Sequence, residues 1–162
     1  MTLTALVLSL VVKSAAFSAG QPIPKPFTCD GKDRSPRLDV EGIPTYAQSW
    51  AVIVDDPDAP GGTFVHWVIW NLPARFRGVG PGVPAEVPDL PDRSRQGKNS
   101  FGKIGYSGPC PPPGKPHHYR FRVFALDGKV SLPPGASAAD LERAMRGHIV
   151  AQGTLTGTYA RH

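Results

Sequence analysis

The sequence predicts a mainly β fold with one helix near 137–148, and three observations carry that expectation. Apolar residues fall in short runs that alternate or are β-branched, as strands do. The chain of 162 residues holds 19 prolines and 18 glycines, well above the usual shares of about 5% and about 7%. These punctuate many short segments without forming a repeat or a low-complexity block, which suits strands joined by stiff loops. Helical spacing is clear in one place only. Ser137 is a good N-cap, Asp140 stands three residues on, and Leu141, Ala144, Met145 and His148 recur at helical intervals, with Gly147 near the end.

The elements follow in chain order. Leu3 to Val12 alternates, with Leu6, Leu8, Leu10 and Val12 on one face. It has no basic stretch before it and is too short to span a bilayer, so it reads as a strand rather than a signal segment. Residues 17–38 are dense in Pro, Gly, Asp and Ser and read as loop. Ser49 to Asp56 is a buried strand. In Phe64 to Leu72, simple alternation places Phe64, His66, Val68 and Trp70 on one face and Val65, Trp67 and Ile69 on the other. Both faces are apolar, which predicts cover on both sides. Residues 73–97 form a long Pro/Gly-rich connection, of a kind that often serves function. His118 to Asp127 returns to strand, with Tyr119, Phe121, Val123 and Ala125 opposite Arg120 and Arg122. Residues 149–160 close the chain as strand.

Length and composition read as one domain over 1–162. Hydrophobic residues make up 40% and charged residues 19%, which is globular rather than disordered. The formal net charge of +5 favours an anionic small molecule, a phosphorylated partner or an anionic surface. Lysines and arginines are scattered without interleaved aromatics, which argues against nucleic acid. Two cysteines, Cys29 and Cys110, lack metal-site spacing. The plain reading is two reduced thiols in a cytoplasmic protein, with one disulfide as the other option.

Chemistry concentrates in two stretches where turn residues run into a strand. "DDPDAP" places Asp56 at a strand end beside Pro57 and Pro60. Its bland reading is a rigid turn in which Asp caps amides, and Pro60 is open to either isomer. A lone His66 on an apolar strand is more often a satisfied core residue than a ligand. Its value rises because His117 and His118 enter a second strand in the same way. Only one of that pair can share a face with Tyr119, and His117 does. If Asp56, His66, His117 and Tyr119 converge, imidazole and phenol donors could grip a phosphate oxygen. The carboxylate could accept from an ammonium or hold a histidine in its donor tautomer. "SGPCPPPG" could supply free amides. A His/His/Asp metal site lacks supporting spacing, and Cys110, between two prolines, lacks a nucleophile signature.

"DDPDAPGGTFVHWVIWNLP", "RQGKNSFGKIGYSGPCPPPGKPHHYRFRVFALD" and "AMRGHIVAQGTLTGTYAR" resemble the phosphatidylethanolamine-binding protein family, in its bacterial and archaeal Raf kinase inhibitor-like branch. The resemblance implies a large antiparallel sheet packed on a smaller one, with a few peripheral helices. It implies a small pocket for phosphate or phosphoethanolamine-like headgroups. The ligand-binding set it implies is Asp56, Pro60, His66, Cys110, Pro111, His117 and Tyr119, with Pro60 at a position that is cis in that family. The sequence departs from the family at His118, where arginine is usual, and at Phe124, where tyrosine is usual.

Fold does not decide function. The expectation is a non-catalytic binder of a small anion or phospholipid headgroup with a regulatory or inhibitor role, needing no cofactor or metal. It is expected to have no integral membrane segment, with a protein partner and a homodimer left open. The alternatives are a cyclase or hydrolase using the Asp/His/Tyr pocket, or an inhibitor of a kinase or protease that docks through residues 73–97.

Overall fold

The computed structural model describes residues 6–162, so the first part of the N-terminal strand expected over Leu3–Val12 lies outside the described residues. The strands are β1 (Leu8–Ser9), β2 (Val11–Lys13), β3 (Leu38–Glu41), β4 (Ser49–Asp56), β5 (Phe64–Pro73), β6 (Gly78–Val79), β7 (Arg95–Gln96), β8 (His117–Leu126) and β9 (Ile149–Tyr159). The one α-helix among them is α1 (Ala138–Met145), and a short 3-10 turn covers Lys25–Phe27.

The large sheet has the order β1-β9-β8-β4-β5-β7 and the small sheet the order β2-β3-β6. Neighbours run antiparallel except β1 and β9, which pair in parallel. The large sheet is therefore mixed rather than wholly antiparallel. Two apolar layers flank it. One lies between the sheets and joins Val12, Leu38 and Val40 to Trp50, Val52, Trp67, Phe121 and Val123. The other lies under α1 and joins Ala51, Ile53, Val68 and Trp70 to Leu141 and Met145. Strand β4 is buried along all eight residues because it faces both layers.

The helix forms where its caps predict. Ser137 Oγ accepts from the Asp140 amide and the Asp140 carboxylate accepts from the Ser137 amide, a reciprocal capping box. Its apolar stripe covers the outer layer.

The N-terminal run does not form one amphipathic strand. It breaks at Leu10 and serves both sheets. Leu10 and Val12 are buried, while Leu6 and Leu8 stay exposed. The chain crosses β9 closely: a Cβ at Gly153 would lie 2.2 Å from the Leu10 carbonyl oxygen, so only glycine admits this approach. Farther on, residues 20–23 lie along the outer edge of β9. Gly20 donates to the Thr156 carbonyl, Ile23 to that of Thr158, and Thr158 donates back to Gln21.

The connection over 73–97 carries β6 and β7, which sew it to the small and the large sheet respectively. No helix among the described residues is long and apolar enough to cross a membrane.

Leu141→Ala should cost about 2–5 kcal/mol, as for a buried leucine truncation. Leu8→Ala should stay within about 0.5 kcal/mol. Urea unfolding of both variants checks this, and equal costs would contradict the layer assignment.

Candidate functional site

The end of β4 and the turn after it present three carboxylates, Asp55, Asp56 and Asp58, and each is matched by a cation or imidazole from β8. Asp55 points to the helix side, where Arg120 Nε donates to Oδ1 (2.7 Å) and Arg122 Nη2 to Oδ2 (2.8 Å). Arg122 also reaches Glu142 on α1 at 3.1 Å. Asp56 points to the opposite face and accepts from His117 Nδ1 at 2.7 Å. Its other oxygen accepts the Asp58 amide at 2.8 Å, closing an Asx-type turn through Pro57. Asp58 accepts from both the amide and Nδ1 of His118. These bonds from His118 hold the Asp58 carboxyl below its ordinary value.

His66 arrives on the same face as His117 for a reason simple alternation misses. In the β4–β5 ladder Val54 faces Trp67, but Asp55 faces Val65. One extra residue, His66, is inserted on β5 at that step, a β-bulge. Val65 therefore packs with Val68 and Trp70 on the helix side. His66 turns to the other side, against Tyr119, at a ring-centroid distance of 5.3 Å. The expected grouping of His66 with Val68 and Trp70 is thus corrected. Had alternation held, His66 would lie beneath α1, far from Asp56.

Nδ1 of His66 lies 2.7 Å from the Ser107 carbonyl oxygen. A carbonyl only accepts, so Nδ1 carries the proton and Nε2 is left for other partners. Burial, foremost, lowers the ring's pKa below the ordinary imidazole value. The imidazole is therefore neutral at neutral pH, with Nε2 as an acceptor. Tyr119 is fully buried, and its hydroxyl has no hydrogen-bond partner among the described residues. Burial and the neighbouring Asp56 carboxylate keep the phenol protonated.

These groups border a cavity of about 190 Å³ lined by Asp56, Pro60, His66, Cys110, Pro111 and His117. Tyr119 lies behind His66 rather than on the wall. Alternation had not singled out Ala59, Phe64, Phe101 and Pro112, which complete the lining. Phe64 and Phe101 pack edge to face at 4.7 Å. Phe64 carried a signal, since it directly precedes the stretch that bears His66; Phe101 carried none. The cavity wall includes no lysine or arginine.

Two expectations about the loops need correction. Ala59–Pro60 is trans, as is every described peptide bond. Cys29 and Cys110 form a disulfide across 81 residues, so neither is a reduced thiol and Cys110 is no free nucleophile. The physical reason is local. The loop bearing Cys29 is drawn onto the Ser107–Pro113 loop by Cys29 N–H to Pro109 O (3.1 Å) and Gly108 N–H to Asp33 (2.6 Å). A Cβ at Gly108 would lie 2.2 Å from the Phe27 carbonyl oxygen, so glycine is required for the two loops to meet. No group of three or more His, Cys, Asp or Glu among the described residues is arranged to hold a metal ion.

Two outcomes follow. Closing an 81-residue loop is worth about 4 kcal/mol in the chain-entropy account. Cys29→Ser should therefore lower the thermal midpoint clearly, and an unchanged melting curve would show the link to be idle. His66, with its depressed folded value, favours the fold above the unfolded imidazole pKa, near 6.5. That contribution disappears as pH falls from there through the folded value. Acidification should then destabilise wild type more than His66→Gln, and melting curves over pH 5 to 8 compare them.

Three comparisons place this geometry among known proteins. A family profile described as "Phosphatidylethanolamine-binding protein" matches residues 13–160. The UPF0098 protein of Pyrococcus horikoshii is 48% identical over 151 residues, covering 91% of this chain and 75% of the relative. That of Aquifex aeolicus is 47% identical over 152 residues, covering 93% and 88%. Among solved structures, a Chlamydia trachomatis protein described as a homologue of phosphatidylethanolamine-binding protein superposes with a TM-score of 0.86 at 37% identity, covering 95% of this chain and 99% of that one. Escherichia coli YbcL, described as a new member of the mammalian family, gives 0.88 at 32% identity over the same shares. With a profile spanning nearly the whole chain, relatives near half identity and the same two-sheet fold, the chain belongs to the phosphatidylethanolamine-binding protein family.

Proposed function

We propose that this protein is a non-catalytic receptor for a small anion, of the phosphate or phosphoethanolamine-headgroup type, with a regulatory or inhibitory role exercised through occupancy of the histidine cavity. The observation that carries the reading is the pair of imidazoles with the same commitment. His66 Nδ1 is tied to Ser107 and His117 Nδ1 to Asp56, so each ring keeps Nε2 for a ligand. Asp56 is the one carboxylate on the wall, and donors from His117 and Asp58 already engage it. Its repulsion of an anion is thereby reduced. Apolar walls strengthen whatever hydrogen bonds form inside.

His66 sets the pH dependence. As a neutral ring it accepts at Nε2, and it donates there only as imidazolium. An anion without a proton of its own is gripped when His66 gains one. A monoprotonated phosphate instead donates its P–OH to the neutral ring. By either route, anion binding is linked to one proton and strengthens as pH falls through the imidazole range.

The cytoplasmic placement expected from the sequence meets a counterweight in the disulfide. Such bonds persist mainly in oxidising compartments and in the cytosol of hyperthermophiles.

Calorimetric titration with sulfate and with O-phosphoethanolamine tests the reading. Sulfate does not titrate between pH 5.5 and 8, so its pH dependence reports the protein. Saturable binding that tightens toward low pH and is lost in His66→Ala is expected. Failure to bind either probe at any pH would overturn the reading, and pH-independent binding would remove His66 from it.

A further inference from the structure

A larger cavity than that of the histidines, of about 550 Å³, lies at the other end of the β4–β5 hairpin. It opens where β4 starts and β5 ends, whereas the histidine cavity sits where β4 ends and β5 starts. The eight-residue β4 separates them by about 23 Å at roughly 3.3 Å per residue. Its wall carries three cations, Arg75, Arg93 and Lys129. The histidine cavity has none.

The three come from separate loops, and each loop is fixed. Asn71 sits at φ 59°, at the second bulge of β5, where the partners step from Val52–Ile69 to Trp50–Leu72. Its side chain donates to Val130 O (2.9 Å) and accepts from Val130 N–H (2.8 Å), which anchors the turn bearing Lys129. Ser49 Oγ holds the same turn at Gly128 O, 2.6 Å away. Arg93 occupies a left-handed position, φ 72°, in a turn closed by Arg93 N–H to Leu90 O and Leu90 N–H to Ser94 O. Glycine or asparagine takes that conformation at less cost than arginine does. Arg75 lies over the Phe76 ring at 4.7 Å. The one carboxylate on the wall, Asp92, turns inward to its own loop, accepting from Ser94 N–H and Oγ. Among the described residues none of the three cations has a carboxylate within ion-pair distance.

Unpaired charges of one sign, held by rigid loops around a ligand-sized cavity, are an anion receptor awaiting its counter-charge. Guanidinium groups match phosphate oxygens in bidentate geometry, and the ammonium adds a point charge. The volume falls in the range of small-ligand sites, about 300–1,000 Å³. Three cations exceed what one phosphate monoester needs. Ala47, Pro73, Ala74 and Pro91 give an apolar floor for an organic moiety. We infer that this protein has a second ligand site, formed by Arg75, Arg93 and Lys129, for a small organic molecule carrying a diphosphate or two neighbouring phosphates.

Titration with inorganic pyrophosphate near physiological ionic strength tests it, since screening there suppresses loose charge attraction. The variants are Arg93→Gln and Lys129→Gln, with Lys32→Gln as a remote charge control and His66→Ala to silence the histidine cavity. All three replaced cations are exposed, and unchanged melting curves verify folding. The expected result is saturable binding that weakens about tenfold in Arg93→Gln and in Lys129→Gln, and holds in Lys32→Gln and His66→Ala. Loss in His66→Ala with retention in Lys129→Gln would move pyrophosphate to the histidine cavity and overturn the inference. An equal small loss in all charge variants, or no saturable binding in wild type, would overturn it too. Because O-phosphoethanolamine reports on the histidine cavity separately, either site can fail without the other.

Discussion

Strand β4 is the constraint around which the rest is arranged. It lies in the middle of the large sheet, buried from end to end between two apolar layers. Six of its eight residues are simple to bury, but Asp55 and Asp56 are not, because a buried charge is costly unless paired. Their side chains leave on opposite faces, so each face of β8 must supply a partner at a fixed height. Arg120 and Arg122 answer on one face and His117 on the other. The same pairs that satisfy these charges hold β8 in register, tie α1 through Glu142 and deliver one imidazole to the cavity. Structural need and site chemistry are here the same contacts.

Much of this was legible in sequence. The capping box at Ser137 and Asp140 located the helix, and alternation in β8 separated His117 and Tyr119 from His118, Arg120 and Arg122. The family motifs implied two sheets, and the structure has them. His118, which replaces the usual arginine, stands on the outer face with Asp58, as the period of two requires. Alternation failed at His66 because a bulge adds a residue without any mark in composition. The pairing of Cys29 with Cys110 was left open because contact across 81 residues depends on how two irregular loops fold. The basic cavity was invisible for a similar reason: Arg75, Arg93 and Lys129 are isolated charges until three loops converge.

The fold brings chemistry to both ends of one hairpin by related means. Each end of β5 contains a bulge, one at His66 and one beside Asn71. A bulge sharpens local twist and changes which face a side chain meets. At one end it sends an imidazole to a wall that holds the Asp56 carboxylate and no lysine or arginine. At the other it sets a left-handed asparagine that braces a lysine-bearing turn. The two cavities differ in the charge they present, and therefore in the ligands they can select.

The manner in which the large sheet ends has a consequence for the protein in concentrated solution. An unpaired strand edge is a template for further strands, and so for aggregation. On the β9 side, β1 covers two residues and the segment at 20–23, which contains Pro22, covers the stretch around Thr156 and Thr158. Proline has no amide to donate, so this cover cannot propagate a ladder. On the far side the sheet stops at two-residue β7, too short to seed an extended pairing. Neither border of the large sheet offers a free run of backbone, and a proline that breaks up the sequence, Pro22, helps to keep that sheet finite.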